Sequence, residues 1–122
     1  MINELFCRLP CILPAGLGGH GKFAERDLAD EMHMVQVNII ALMALTHLYL
    51  PAMLARQSGR ILNVSSTASF MPGPNQVVYY ATKSFVTSFS QAVAQYGYKA
   101  MMRGELVAFN EGKLRLLRFM LD

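Results

Sequence analysis

From Asp27 onward the hydrophobic positions run through Leu28, Met32, Val35, Ile39, Leu42, Met43, Thr46 and Leu50, the spacing of one helical face. Met53 and Leu54 continue the stripe past Pro51, which is expected to kink this helix rather than end it. Gly59 suits the C′ position, and the apolar run Arg60 to Ser65 starts directly after it as a strand. Apolar residues at helical spacing return from about Val77 to at least Gln95, and Tyr96 to Met102 can extend them. Cys11-Ile12-Leu13 is a strand stub stopped by Pro14, Leu106 to Phe109 a short strand, and Gly112 to Leu121 a terminal helix. Strand alternating with helix is the pattern that builds a parallel sheet. The stub, residues 60–65 and residues 106–109 make a small sheet whose edges need cover.

Composition changes this picture in one respect. In 122 residues 53% are hydrophobic and only 16% charged, so apolar helix surface is left over for a partner. The length allows a single domain, residues 1–122. The net charge of +3 is scattered, which argues against nucleic acid. The one mildly basic amphipathic stretch is Lys113, Arg115 and Arg118 among leucines. Cys7 and Cys11 have neither redox nor zinc spacing and read as reduced thiols, consistent with a cytoplasmic location. Residues Ile39 to Ala55 are apolar enough to raise a membrane span. Asn38, Thr46, His47 and Pro51 favour a buried or interface helix, so no membrane is expected. His20, His33 and His47 lack ligand spacing, so no metal is expected either.

The chemistry concentrates in Ser66 and Tyr79-x-x-x-Lys83. Ser66 ends the strand, a turn at Pro72-Gly73-Pro74 follows, and Tyr79 and Lys83 fall at i and i+4 on one helical face. A free phenol ionises near pH 10, and an ammonium one turn away favours its phenolate by Coulomb attraction. Ser66 can donate to a carbonyl oxygen as negative charge develops there. The plain alternative is a capped strand end beside a surface tyrosine and lysine. Tyr80 has Ser84 one turn on, so it does not compete with Tyr79. Gly16 to Gly21 spells G-x-G-x-x-G, but neither a full strand before it, a helix opening on it, nor an acidic residue about 20 positions on supports a dinucleotide fingerprint.

Taken together, Ala15-Gly16, Asn38, Ser66, Tyr79 and Lys83 resemble the active-site half of a short-chain dehydrogenase/reductase, from Ala15 to about Gln95. The resemblance implies a partial Rossmann-like α/β fold and NAD(P)-linked carbonyl/alcohol interconversion on a small molecule. It implies catalytic roles for Asn38, Ser66, Tyr79 and Lys83, and contacts to NAD or NADP from Ala15, Gly16, Tyr79 and Lys83. Asn38 acts in that pattern through its carbonyl, which holds a water in a proton relay. The family's two central helices commonly pair in a dimer, so a homo-oligomer is implied too. Leu13-Pro14 stand where the family has asparagines, and its Thr-Gly-x-x-x-Gly-x-Gly turn is not met before Ala15. The expectation is therefore a fragment with weak cofactor binding and impaired or no activity by itself. The alternative is a non-catalytic module that associates through its two apolar helices.

Overall fold

The computed structural model describes residues 11–13, 16–56, 58–101, 107–111 and 113–117. Strands β1 (Cys11–Leu13), β2 (Ile61–Ser65) and β3 (Val107–Glu111) are parallel neighbours in that order. Leu13 pairs with Asn63 and Asn63 with Val107, which sets the register. The expected terminal helix is instead a strand, β4 (Lys113–Leu117), antiparallel to β3. Lys113-Leu114-Arg115-Leu116 alternates with period two, which suits a half-covered strand better than a helical face. Its backbone also occupies the open edge of β3. The partial parallel sheet is therefore present, with one edge closed by an antiparallel strand.

Between β1 and β2 runs a helical stretch in three parts: α1 (Leu28–Val35), a π-helical segment (Gln36–Ala41) and α2 (Leu42–Ala55). Asp27 caps it, its carboxylate accepting from the Ala29 N–H at 2.8 Å. Pro51 lies inside α2, and the helix continues past it to Ala55. The departure from α geometry falls instead around Asn38. Gly59 is not at the helix end; it lies beyond it with φ +154°, and a Cβ there would meet Met53 Cγ at 2.4 Å.

The expected apolar stripe is only partly the buried one. Leu42 and Thr46 are buried, but Leu28, Met32 and Met43 are exposed, and the remaining buried positions are Glu31, Met34, Asn38 and Met53. Three of the inward residues are polar: Glu31 and Asn38 meet polar partners, whereas Thr46 Oγ1 meets none among the described residues. Glu31 is paired with Arg26. The apolar surplus faces out. Ile40, Leu45, Leu48 and Tyr49, expected off the main stripe, are all exposed.

The long helix α3 (Val77–Met101) packs on β2 and against the first helical stretch. The seam between β2 and α3 is polar. Asn63 Nδ2 donates to Ser90 Oγ at 2.8 Å, and Ser65 Oγ lies 2.5 Å from Thr87 Oγ1 and donates to Lys83 O at 3.2 Å. Asn63 and Ser65 are fully buried while the alternate residues Leu62 and Val64 are only half-buried. This inversion of the usual pattern works because each inward polar side chain finds a hydroxyl or carbonyl on α3.

Candidate active site

Tyr79 and Lys83 occupy successive turns at the start of α3. The Lys83 ammonium lies 5.9 Å from the centre of the Tyr79 ring and donates to Val64 O at 3.0 Å. Lys83 is 3% exposed, and burial pushes its ammonium below the ordinary 10.5. One lysine thus joins the phenol-bearing helix to the strand that leads into Ser66.

Ser66 follows β2 and caps a short 3-10 turn, Thr67–Phe70. Its Oγ accepts from the Ala68 N–H at 3.2 Å and keeps its own proton to donate. The segment is tied to α3 on both sides of Ser66. Lys83 holds Val64 before it, and Ser84 Oγ donates to Ser69 O at 2.9 Å after it. That double attachment explains how a serine thirteen residues before Tyr79 is kept beside the first turns of α3.

Asn38 is completely buried in the π-helical segment. Its carboxamide grips Leu17 from both sides: Oδ1 accepts from the Leu17 N–H and Nδ2 donates to Leu17 O, each at 2.9 Å. Such π-helical turns are rare and are frequently found at functional sites. The glycine loop then lies along the Tyr79–Lys83 pair. A Cβ on Gly16 would stand 3.3 Å from Lys83 Nζ, and one on Gly18 3.9 Å from the Tyr79 ring. Gly16 and Gly18 of the G-x-G-x-x-G string are accounted for by these approaches and Gly21 by its φ of +140°, and the following α-helix starts only at Leu28. Ala15 lies outside the described residues.

Of the sequence-derived site, then, Gly16 lies against Lys83, Lys83 stands 5.9 Å from the Tyr79 ring, Asn38 fixes the loop through Leu17, and Ser66 is anchored to the first turns of α3. Sequence reasoning missed Thr82, which accepts from Asn38 Nδ2 at 3.0 Å and donates to Tyr79 O at 2.8 Å. Its position three residues after Tyr79 is visible in the sequence; its bond to a residue 44 positions away is not. Tyr80 sits edge-on to Tyr79, with ring centres 6.1 Å apart. It helps line an apolar groove of about 700 Å³ with Phe70, Met71, Gly73, Val77 and Ser84.

Residues 11–105 match the family model described as short chain dehydrogenase, and the chain belongs to that family. It is 47% identical over 66 residues to a probable NADP-dependent dehydrogenase of Haemophilus influenzae, covering 54% of this chain and 26% of the relative. It is 43% identical over 60 residues to the very-long-chain 3-oxoacyl-CoA reductase of Homo sapiens, covering 49% of this chain and 19% of that protein. Among solved structures, serine dehydrogenase from Escherichia coli superposes with a TM-score of 0.67 at 32% identity, over 78% of this chain and 48% of that one. The bulky-bulky ketone specific alcohol dehydrogenase from Comamonas testosteroni superposes with a TM-score of 0.74 at 24% identity, over 80% of this chain and 39% of that one, a likeness of fold. The chain spans about a quarter or less of these curated relatives and less than half of these solved structures.

Proposed function

We propose that this chain carries the proton-handling part of an oxidoreductase site that interconverts a carbonyl and an alcohol on a small molecule with NAD or NADP. The observation that carries this reading is the Tyr79–Lys83 pair, a buried ammonium 5.9 Å from a phenol ring beneath a glycine loop. In this reading Tyr79 Oη holds the proton that a carbonyl oxygen gains on reduction, and takes it back on oxidation. Lys83 stabilises the phenolate left behind, and Ser66 donates to the same substrate oxygen. Asn38 contributes its backbone carbonyl and holds the loop.

The residues present fit a nicotinamide ribose at Lys83. Glycine at 16 leaves the approach to Nζ clear where a Cβ would stand 3.3 Å away. Gly16, Tyr79 and Lys83 would hold the cofactor there, with Ala15 as a further contact. A bound nicotinamide supplies or accepts the hydride that these side chains cannot. The names of the Haemophilus and human relatives favour NADP and a 3-oxoacyl or similar ketone as the first substrates to try. The exposed apolar side of α1 and α2 supports a homo-oligomer, and the same face keeps the interaction-module reading in play. With that face against a second copy, the chain acts in the cytoplasm, with neither membrane nor nucleic acid as a partner.

The test is turnover at high protein concentration with NADPH or NADH and a panel of ketones, comparing the parent with Tyr79→Phe. Weak cofactor binding and slow turnover, abolished in Tyr79→Phe, is the expected result. Turnover that survives Tyr79→Phe removes the site assignment, and no turnover under any condition favours the interaction module.

A further inference from the structure

Thr82 is 1% exposed, and its hydroxyl stands between the two residues whose placement matters most. Two hydrogen bonds meet at this hydroxyl. Asn38 Nδ2 donates to Thr82 Oγ1 at 3.0 Å, and Thr82 O–H donates to Tyr79 O at 2.8 Å. The second Nδ2 hydrogen goes to Leu17 O, while Oδ1 takes the Leu17 N–H. Every hydrogen-bonding position of the carboxamide that the loop and helix face is thereby used. The orientation of the amide is also determined. Turned over, it would set oxygen against Leu17 O and nitrogen against the Leu17 N–H.

The consequence reaches the site through Leu17. Its neighbours Gly16 and Gly18 are the residues that approach Lys83 Nζ and the Tyr79 ring. Whatever holds the Asn38 carboxamide in one rotamer therefore sets how closely the loop lies on both groups. Its own helix does not supply that hold: among the described residues the carboxamide is bonded only to the loop and to Thr82.

We propose that Thr82 is a positioning residue, its hydroxyl locking the Asn38 carboxamide and through it the glycine loop against Tyr79 and Lys83. The inference rests on the reading of Tyr79 and Lys83 as the reacting pair, but its test needs no cofactor.

The test is amide hydrogen exchange on the whole chain in the parent, Thr82→Val and Thr82→Ser. Valine keeps the volume and removes the hydroxyl, leaving one buried Asn38 N–H without an acceptor. The Leu17 N–H is expected to exchange about tenfold faster in Thr82→Val, as one lost buried hydrogen bond implies. The β2 amide of Val64 serves as the reference and should change much less. Serine, which keeps the hydroxyl, is expected to restore the protection of Leu17. Equal acceleration of Leu17 and Val64 would show that Thr82 only packs, and overturns the proposal. So does an unchanged Leu17 in Thr82→Val, or a serine variant that behaves like valine. If Thr82→Val does not fold, the Asn38 side-chain N–H protons decide. Slow exchange in both the parent and Thr82→Ser supports the lock, and fast exchange in the parent overturns it. A failure to detect turnover leaves all these rates unaffected, so the two readings fail separately.

Discussion

Lys83 Nζ donates to Val64 O at 3.0 Å while standing 5.9 Å from the centre of the Tyr79 ring. One ammonium therefore fastens helix to strand and supplies the charge beside the phenol. The two tasks conflict. The fastening draws the group into the interior, and the interior lowers its affinity for the proton that makes it useful.

That conflict sets a pH dependence. Burial lowers the Lys83 pKa below 10.5 in the folded chain, whereas the unfolded chain keeps the ordinary value. Between the lowered value and 10.5 the unfolded state holds a proton that the folded state has released. Stability attributable to Lys83 therefore rises with pH across that window, and below it the penalty for burying the charge is present in full. Lys83→Met removes the effect. Urea midpoints of parent minus variant should climb as pH approaches 10.5; a flat difference contradicts the assignment.

Gly73 lies against the face of Tyr80. An ideal Cβ at residue 73 would fall 2.5 Å from two ring carbons of Tyr80, a contact that requires the ring to move. Because Tyr80 also meets Tyr79 edge-on, displacement of one ring is transmitted toward the other. Gly73→Ala should cost about 1–3 kcal/mol through overpacking. In a Tyr80→Ala background the cost should largely vanish, which a double-mutant cycle by urea unfolding measures directly. Additive losses would mean that the two positions do not share this contact.

The polar seam under β2 gives an ordered pair of losses. Thr87→Val leaves Ser65 Oγ its bond to Lys83 O, so the cost is about 1 kcal/mol. Ser90→Ala leaves Asn63 Nδ2 without its partner, beside an Oδ1 that already meets none among the described residues. That should cost more, about 2 kcal/mol or above, because a wholly buried amide is then left unpaired. Equal losses in thermal or urea unfolding would refute the ordering.

How much of this was legible in the chain depends on the range of the interaction. Tyr79 and Lys83 share a helical face by spacing alone, and Asp27 announces the helix start. Both are local and both are found as expected. The strand stub at Cys11–Leu13 and the helix from Val77 were legible for the same reason. For residues 113–117 the period-two alternation of Lys113 to Leu116 is in the sequence, but the β3 edge that the strand pairs with is not. The buried side of α1 and α2 is not its most apolar side, so hydrophobic spacing does not mark it. Asn38, Glu31 and Thr46 point in, two of them to satisfied polar partners, while leucines and methionines point out. A hydropathy pattern cannot show which face is covered by the chain itself and which by another molecule.

That outward face leads to the last prediction. Leu28 at 65% exposure, Leu48 at 66% and Met32 at 58%, with Ile40, Met43, Leu45 and Tyr49 also exposed, make the helical stretch 28–55 apolar on the side away from α3. The stretch is long and apolar enough to span a membrane by length and composition. Its other side, however, is committed through Asn38 and Thr82 to the site, which leaves the outer side for a partner. Apolar surface on that scale favours a self-complementary contact between copies. The chain should therefore assemble as a symmetric homodimer, or aggregate when concentrated. Leu45→Lys with Leu48→Lys, both at exposed positions, should return it to the 13.6 kDa monomer without unfolding it. Light scattering with circular dichroism checks both halves of the claim. A parent that stays at 13.6 kDa at high concentration would remove the association, and a doubly charged variant that still assembles would place the contact on another face.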